Sequence, residues 1–203
     1  MSKTVETFKV LGIDQSLNST GICLHKIESV KLGDKIENLH SYKYWIIASK
    51  MTKAMRDFKN PFVSIIGYDK KVGDDYETKE IAKTLNIFSI CSIIDNIIKK
   101  ENPDCICMEG ISYGSAGSAS LVDLAGLNYC IRMFAMNREL GFKIVSPTSL
   151  KKQATGNGGA EKEEMIWAWK HCDENIKNIN AVKIDDLADA FFLSKCIDIG
   201  FIP

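Results

Sequence analysis

The chain has 203 residues, of which 45% are hydrophobic and 26% are charged, enough for one domain with a sizeable core. Basic and acidic side chains balance at 26 each, so the net charge identifies no class of partner. The seven cysteines form no CxxC pair and no zinc-type cluster, which favours reduced structural thiols. The sequence shows no signal peptide and no unbroken apolar run near the ~18 residues that span a bilayer. We therefore expect a soluble cytoplasmic protein without a membrane partner.

The first third of the chain predicts three strands in succession. Residues 5–13 alternate and then become apolar, residues 21–27 follow a polar turn, and residues 42–48 form a third strand-like run. Their order along the chain predicts an antiparallel meander. Residues 50–75 mix charges, aromatics, Pro61 and glycines, so we interpret them as an insertion or a long loop.

The remainder alternates helical and strand patterns. Apolar spacing and end signals predict four helices and two short strands: helices at 77–100, 121–140, 160–171 and 184–199, and strands at 105–108 and 143–145. The order predicts an α/β fold with one domain over residues 1–203. Its mixed five-stranded sheet would contain the meander followed by parallel strands, with helices on its faces.

Four acidic residues are candidates for one site. Asp14 and Glu109 each end an apolar strand, and neighbouring parallel strands present such side chains at the same edge of a sheet. Asp186 and Asp189 are three residues apart on the last predicted helix and share one face. Converging carboxylates are the ligands that two-metal phosphodiester hydrolysis needs, with Mg²⁺ or Mn²⁺. The pattern predicts a metal-dependent nuclease.

Simpler explanations remain for some of these acids. An aspartate after a strand often forms a turn, which applies to Asp14. Acidic residues in the first turn of a helix interact favourably with the helix dipole, which explains Asp185 and in part Asp186 without a bound metal. Asp185 also lies four residues before Asp189, so helix geometry does not exclude it as a ligand. Glu109 is harder to explain structurally, because an unpaired carboxylate at the end of a buried strand is costly.

Two further segments are candidates for binding DNA. Residues 151–162 combine Lys151, Lys152 and Lys162 with glycines whose backbone N–H groups can approach a phosphate. The alternative is a surface loop with solvated lysines. Ser112 and Tyr113 follow Glu109 in a loop of small residues. An aromatic ring there would stack on an unpaired base, or would anchor the loop by packing.

The combined pattern resembles the RuvC family of Holliday junction resolvases, within the RNase H-like superfamily. The resemblance rests on four motifs in the family's order: Gly12-Ile13-Asp14 with Thr20-Gly21, Met108-Glu109-Gly110, residues 151–162, and Asp186-Leu187-Ala188-Asp189-Ala190. It implies an RNase H-like fold, in which Asp14, Glu109, Asp186 and Asp189 are catalytic ligands of two Mg²⁺ or Mn²⁺ ions. Lys151 and Lys162 would contact the phosphate or assist there.

The resemblance also implies an endonuclease that nicks branched DNA, most typically four-way junctions, as a homodimer. The chain departs from bacterial members in three ways. The stretch between the first two acids is longer, Asp185 is an additional acid, and Ser112 stands where those members have an aromatic wedge, with Tyr113 next to it. This divergence favours a phage or mobile-element member acting in the host cytoplasm.

Three alternative functions also follow from the motifs of the sequence. A nuclease of the same superfamily could act on flaps or RNA–DNA hybrids. An actin-like or sugar-kinase-fold ATPase has a similar first phosphate loop, but the sequence contains neither its second Asp-Gly loop nor its adenosine motif. A catalytically silent junction-binding protein would not need all four acids.

Overall fold

The computed structural model describes residues 5–32, 35–111, 118–176, 179 and 183–197. The strands are β1 (Val5–Asp14), β2 (Ser19–Leu32), β3 (Lys35–Ala48), β4 (Val63–Gly67), β5 (Cys105–Glu109) and β6 (Gly141–Val145). The helices are α1 (Lys53–Asp57), α2 (Tyr76–Glu101), α3 (Ser118–Met136), α4 (Pro147–Thr155), α5 (Lys162–Cys172) and α6 (Ile184–Ser194), with a 3₁₀ turn at Glu174–Ile176.

The strands form one mixed sheet in the order β4-β3-β2-β1-β5-β6. β1, β2 and β3 make the predicted antiparallel meander, and β5 and β6 extend it in parallel with β1. The predicted fold class is therefore confirmed, but the sheet has six strands instead of five. The meander strands are also longer than predicted, because their exposed ends pair beyond the apolar runs.

The interpretation of residues 50–75 as a loop was wrong in part, because they contain α1 and β4. Thr52 caps α1 by accepting a hydrogen bond from the backbone N–H of Met55 at 3.2 Å. β4 pairs in parallel with the end of β3, from Val63 beside Tyr44 to Gly67 beside Ala48. Met55 and Val63 are buried, so this segment contributes to the core.

The direction of the strands determines where their ends lie. β3 is antiparallel to β2, and β2 is antiparallel to β1, so β3 runs in the same direction as β1. β4, β5 and β6 are parallel to β3, β1 and β5 respectively. Five strands therefore end at one edge, which we call the carboxyl edge. The start of β2 also lies there.

Alternating side chains divide the core between the two faces of the sheet. On one face, Val10, Cys23 and Ile46 pack with α6 and α5. On the other, Leu11 and Ile22 pack with α2 and α3. This period of two is the expected behaviour of strands buried on both sides, and it produces three layers.

Helix α2 is long and apolar enough to cross a membrane by length and composition alone, with a mean hydropathy of 1.4 over its best window. Its buried residues include Ile90, Ile94, Ile97 and Ile98, which pack on the sheet. These contacts are those of a core helix, and only its outer face remains exposed.

Candidate active site

Asp14 and Glu109 lie side by side at the carboxyl edge. β1 and β5 are parallel neighbours, with Ile13 opposite Met108, so the next residue of each strand is one of the two acids. Both strands end at these acids because their apolar runs stop there. The structure thus places Asp14 and Glu109 where the sequence predicted them.

Helix α6 brings the other two acids to the same place. It crosses β1 and β2, and two glycines permit the close approach. A Cβ added at Gly12 would lie 2.1 Å from the backbone oxygen of Ala190, and one at Gly21 would lie 2.1 Å from that of Asp186. Any side chain at either position would push α6 away. The two glycines therefore determine how near the acidic helix comes to Asp14.

The turn between β1 and β2 supplies a partner for Asp186. The Ser19 hydroxyl donates a hydrogen bond to the carboxylate of Asp186. The turn itself is closed by the Thr20 hydroxyl, which donates to the carbonyl of Ser16 at 2.7 Å. Reasoning from the sequence missed Ser19, whose partner is 167 residues away.

Two buried amides hold the backbone at Glu109. The side-chain nitrogens of Gln15 and Asn128 donate to the carbonyl oxygen of Glu109 at 3.1 and 3.0 Å. The backbone N–H of Gly110 donates to Val145 at 2.8 Å, which continues the sheet past the acid. These contacts leave the Glu109 carboxylate available while its main chain is held. Neither amide belongs to a periodic pattern that would predict its role.

Each of the four carboxylates has a raised pKa. Burial is the largest cause in every case, followed for Asp14 by the charges of Asp189, Asp186 and Glu109. The pKa of Asp14 lies well above its ordinary value, that of Glu109 rises to about 7, and those of Asp186 and Asp189 rise to about 6. Buried like charges that disfavour ionisation are stabilised by protons or by a bound cation.

Asp185 differs from its neighbours because it has a cationic partner. Its carboxylate accepts a hydrogen bond from the ammonium of Lys162 at 2.8 Å. Burial acts to raise its pKa, but the hydrogen bond and charge of Lys162 hold the pKa below its ordinary value. Of the three acids on α6, Asp186 and Asp189 are the ones whose charge is not compensated in this way.

The predicted basic loop is a helix, a turn and the start of a second helix. Lys151 and Lys152 lie on α4, which begins at a Ser146 cap with Pro147 in its first turn and ends at Gly156. The charge of Lys151 lowers the pKa of Glu109 and of Asp189, which places it close to the site. Lys152 is exposed in the last turn of α4.

The prediction of a loop is wrong at Lys151 and Lys152. The glycines favour a loop, but Ser146 and Gly156 cap a helix that contains both lysines. The true loop is residues 156–161, and Lys162 is the first residue of α5. The predicted binding residues Ser112 and Tyr113 lie outside the described residues.

The donor chemistry fits a hard divalent cation. Among the described residues, no three acidic, histidine or cysteine side chains are already arranged as a metal-binding cluster. The four acids of the site nevertheless offer only carboxylate oxygens, which are the ligands that Mg²⁺ and Mn²⁺ prefer. Buried acids with raised pKa values are also the groups that gain most from a cation.

A mixed sheet with an antiparallel meander, parallel outer strands and an acidic helix across its first strand has the architecture of the RNase H-like fold. The chain belongs to the RuvC family, since the family model described as crossover junction endodeoxyribonuclease RuvC matches residues 74–196. That match includes Glu109, Asp186 and Asp189. Membership in a nuclease family decides against the ATPase alternative.

Solved structures agree on the fold. A structure of Thermus thermophilus RuvC has a TM-score of 0.56 and 12% identity, covering 94% of this chain and 91% of that one. Another structure, T. thermophilus RuvC in complex with a Holliday junction substrate, has a TM-score of 0.56 and 16% identity, covering 92% and 90%. A search of curated proteins by sequence found no match.

Proposed function

We propose that this protein resolves four-way DNA junctions by metal-dependent hydrolysis, with Asp14, Glu109, Asp186 and Asp189 as ligands of two Mg²⁺ or Mn²⁺ ions. The observation that supports this most directly is the convergence of four pKa-raised carboxylates at the end of β1, in a chain of the RuvC family. When bound, the cations supply Lewis acidity that activates water and offsets charge on the scissile phosphate.

The protein's own residues position these ligands. Ser19 orients the carboxylate of Asp186, and Gln15 and Asn128 hold the main chain of Glu109. Fixed ligands preserve the site geometry that in-line attack on a phosphodiester requires. We assign these three side chains as positioning residues, because none of them contributes a charge of its own.

Cations of the protein would hold the DNA backbone at the site. Lys151 lies near Glu109 and Asp189, and Lys162 is held by Asp185 at the start of α5. Lys152 is exposed beside them on α4. Lysines placed this way contact phosphates without reading the base sequence. We assign Lys162 to the scissile phosphate and Lys151 and Lys152 to the neighbouring ones.

A homodimer would let two sites cut two opposed strands of one junction. Its surface, we propose, is the exposed apolar face of α2 and α3. On α2 the exposed residues recur at helical spacing, and on α3 they do the same: Ile81, Leu85 and Phe88, then Val122, Tyr129, Met133 and Met136. Phe88 is 62% exposed and Met133 is 61% exposed. Exposed apolar side chains that recur on one face of a helix are typical of a protein interface.

The oligomeric state tests this surface. Phe88→Glu should convert a dimer into a monomer in analytical ultracentrifugation, since it buries a charge in the interface. Ile36→Glu is the matched control, because Ile36 is 69% exposed but lies near the opposite edge of the sheet. If the wild type is a monomer, or if Phe88→Glu remains a dimer, this face is not the dimer interface.

The function is tested by cleavage of labelled substrates with Mg²⁺ or Mn²⁺. We expect a four-way junction to be cut in preference to a flap or an RNA–DNA hybrid, leaving 5′-phosphate and 3′-hydroxyl ends. Asp14→Asn and Glu109→Gln should abolish cleavage and keep junction binding. Substantial metal-dependent cleavage by either purified variant would exclude the assigned ligands. Preferred cleavage of the flap or the hybrid would show that the four-way junction is not the preferred substrate.

A further inference from the structure

A basic groove adjoins the carboxylates on the side away from Lys151. It has a volume of about 550 Å³ and includes three lysines, Lys50, Lys70 and Lys183, along its walls. Asn18, Ser49 and Thr52 contribute amide and hydroxyl groups. Within the described part of the chain, no acidic side chain lines it. Its chemistry suits an anion with several oxygens.

The segment that builds this groove carries more basic than acidic side chains. Residues 50–71 contain six basic and two acidic side chains, whereas the whole chain balances at 26 each. Lys50 and Lys70 follow the ends of β3 and β4, so they lie at the carboxyl edge with Asp14 and Glu109. The excess positive charge is therefore on the same edge as the acids.

Hydrogen bonds connect the insertion to the turn that holds Asp186. The Lys70 ammonium donates to the side-chain oxygen of Asn18 at 2.9 Å, and the Tyr68 hydroxyl donates to the carbonyl of Leu17 at 2.6 Å. The backbone N–H of Ser49 donates to the carbonyl of Asn18 at 3.0 Å. The next residue of this turn, Ser19, is the partner of Asp186. The groove and the site share a wall.

Lys183 joins the two regions electrostatically. It lies immediately before α6, lines the groove, and its charge lowers the pKa of both Asp185 and Asp186. From β1 to β3 there are two strand spacings, about 10 Å in all. That distance corresponds to about three base-pair steps along the axis of a DNA duplex. A strand cut at the carboxylates would therefore reach Lys50 within a few nucleotides.

We propose that this groove is a second DNA-binding surface, which holds the phosphate backbone of a junction arm on the β3–β4 side of the cleavage site. The occupant is DNA backbone because the groove combines positive charge with hydroxyl and amide donors. The proposal rests on the function proposed above. It assigns a role to the insertion, which the sequence left without one.

The test measures junction binding as a function of salt, in an Asp14→Asn background that prevents cleavage. Lys50→Gln with Lys70→Gln removes two phosphate contacts and leaves Lys183 beside the acids intact. The slope of log K against log salt should fall by about 1.8, since each contact contributes about 0.9. Affinity near 0.1 M salt should fall by up to about 60-fold on the same relation.

The control is Lys31→Gln with Lys100→Gln, which changes two exposed lysines near the opposite edge of the sheet. It should reproduce the parent in slope and affinity. Lys50→Gln alone, which breaks no hydrogen bond of Asn18, should lower the slope by about 0.9.

The outcomes separate the groove from the function. If the groove variants match the control in slope and affinity while the wild type still cleaves junctions, the second surface is excluded and the nuclease stands. If the wild type does not cleave, or Asp14→Asn cleaves, the proposed function fails whatever the groove does. A reduced slope in the groove variants, with the control unchanged, supports the groove.

Discussion

Replacing Glu109 by glutamine should stabilise the metal-free protein at alkaline pH while it abolishes cleavage. Burial and the charge of Asp189 raise the pKa of Glu109 to about 7 from an ordinary 4.5. The folded state thus binds a proton more tightly than the unfolded state. At pH values between these two pKa values, the free energy of unfolding of the wild type falls as pH rises. The reason is that the unfolded chain loses the Glu109 proton while the folded protein keeps it.

The size of this effect follows from the two pKa values. Each pH unit between them corresponds to about 1.4 kcal/mol. The raised pKa of Glu109 therefore lowers the stability of the folded state by about 3 kcal/mol at pH 8 and by about 1 kcal/mol at pH 5, relative to a group with the same pKa in both states. Glutamine cannot ionise, and it has nearly the same shape. The contacts of Gln15 and Asn128 survive the change because they reach the backbone carbonyl.

Urea unfolding in the presence of a chelator measures this directly at pH 5 and pH 8. Glu109→Gln should gain about 2 kcal/mol more over the wild type at pH 8 than at pH 5. Mg²⁺ at about 100 times its Kd should restore about 2.7 kcal/mol to the wild type and much less to the variant. A variant that is less stable at pH 8, or a difference independent of pH, would refute a repulsive buried carboxylate at this position.

Three further predictions concern the helix that carries two of the acids and the binding of metal. Gly12→Ala and Gly21→Ala should each lower the free energy of unfolding by about 2 kcal/mol or more, because the added Cβ would lie 2.1 Å from a backbone oxygen of α6. The measurement is the same urea unfolding experiment. Gly159→Ala is the control, because its added Cβ would lie 3.5 Å from the nearest atom. Asp186→Asn and Asp189→Asn should reduce junction cleavage by about 10³-fold or more, whereas Asp185→Asn should stay within about 10-fold; equal losses in a single-turnover assay would show that the pairing with Lys162 does not separate Asp185 from the ligands. Metal affinity, measured by calorimetry, should rise between pH 6 and pH 8, because the carboxyls of Glu109, Asp186 and Asp189 must lose protons whose pKa values are about 7, 6 and 6; affinity constant over that range would contradict the raised pKa values.

The strand ends were predictable because they depend on local pattern. An apolar run that stops at an acid is visible in the residues before Asp14 and Glu109, and parallel pairing then brings the two acids together. The close contact of α6 with β1 was not predictable from periodicity. It depends on Gly12 and Gly21 lying beneath backbone atoms that are more than 160 positions away in the chain.

The sequence analysis does not predict α4 or β4, for different reasons. Helix α4 has a Ser146 cap, Pro147 in its first turn and Gly156 after its end, all local signals that were available. Strand β4 is only Val63–Gly67, too short for alternation to distinguish it from a loop, and its pairing with β3 is what makes it a strand. Cap signals thus deserve more weight than glycine content in such segments.

A site of four carboxylates repels the substrate that it must hold. Phosphate and ligand charges share one edge of the sheet, so the field there favours DNA only where cations compensate. Lys151 lies on one side of the acids, and the lysines of the basic groove lie on the other, while the acids occupy the middle. Bound divalent cations would remove the remaining repulsion at the centre. We therefore expect metal and DNA to bind with positive coupling, since each would lower the electrostatic cost of binding the other.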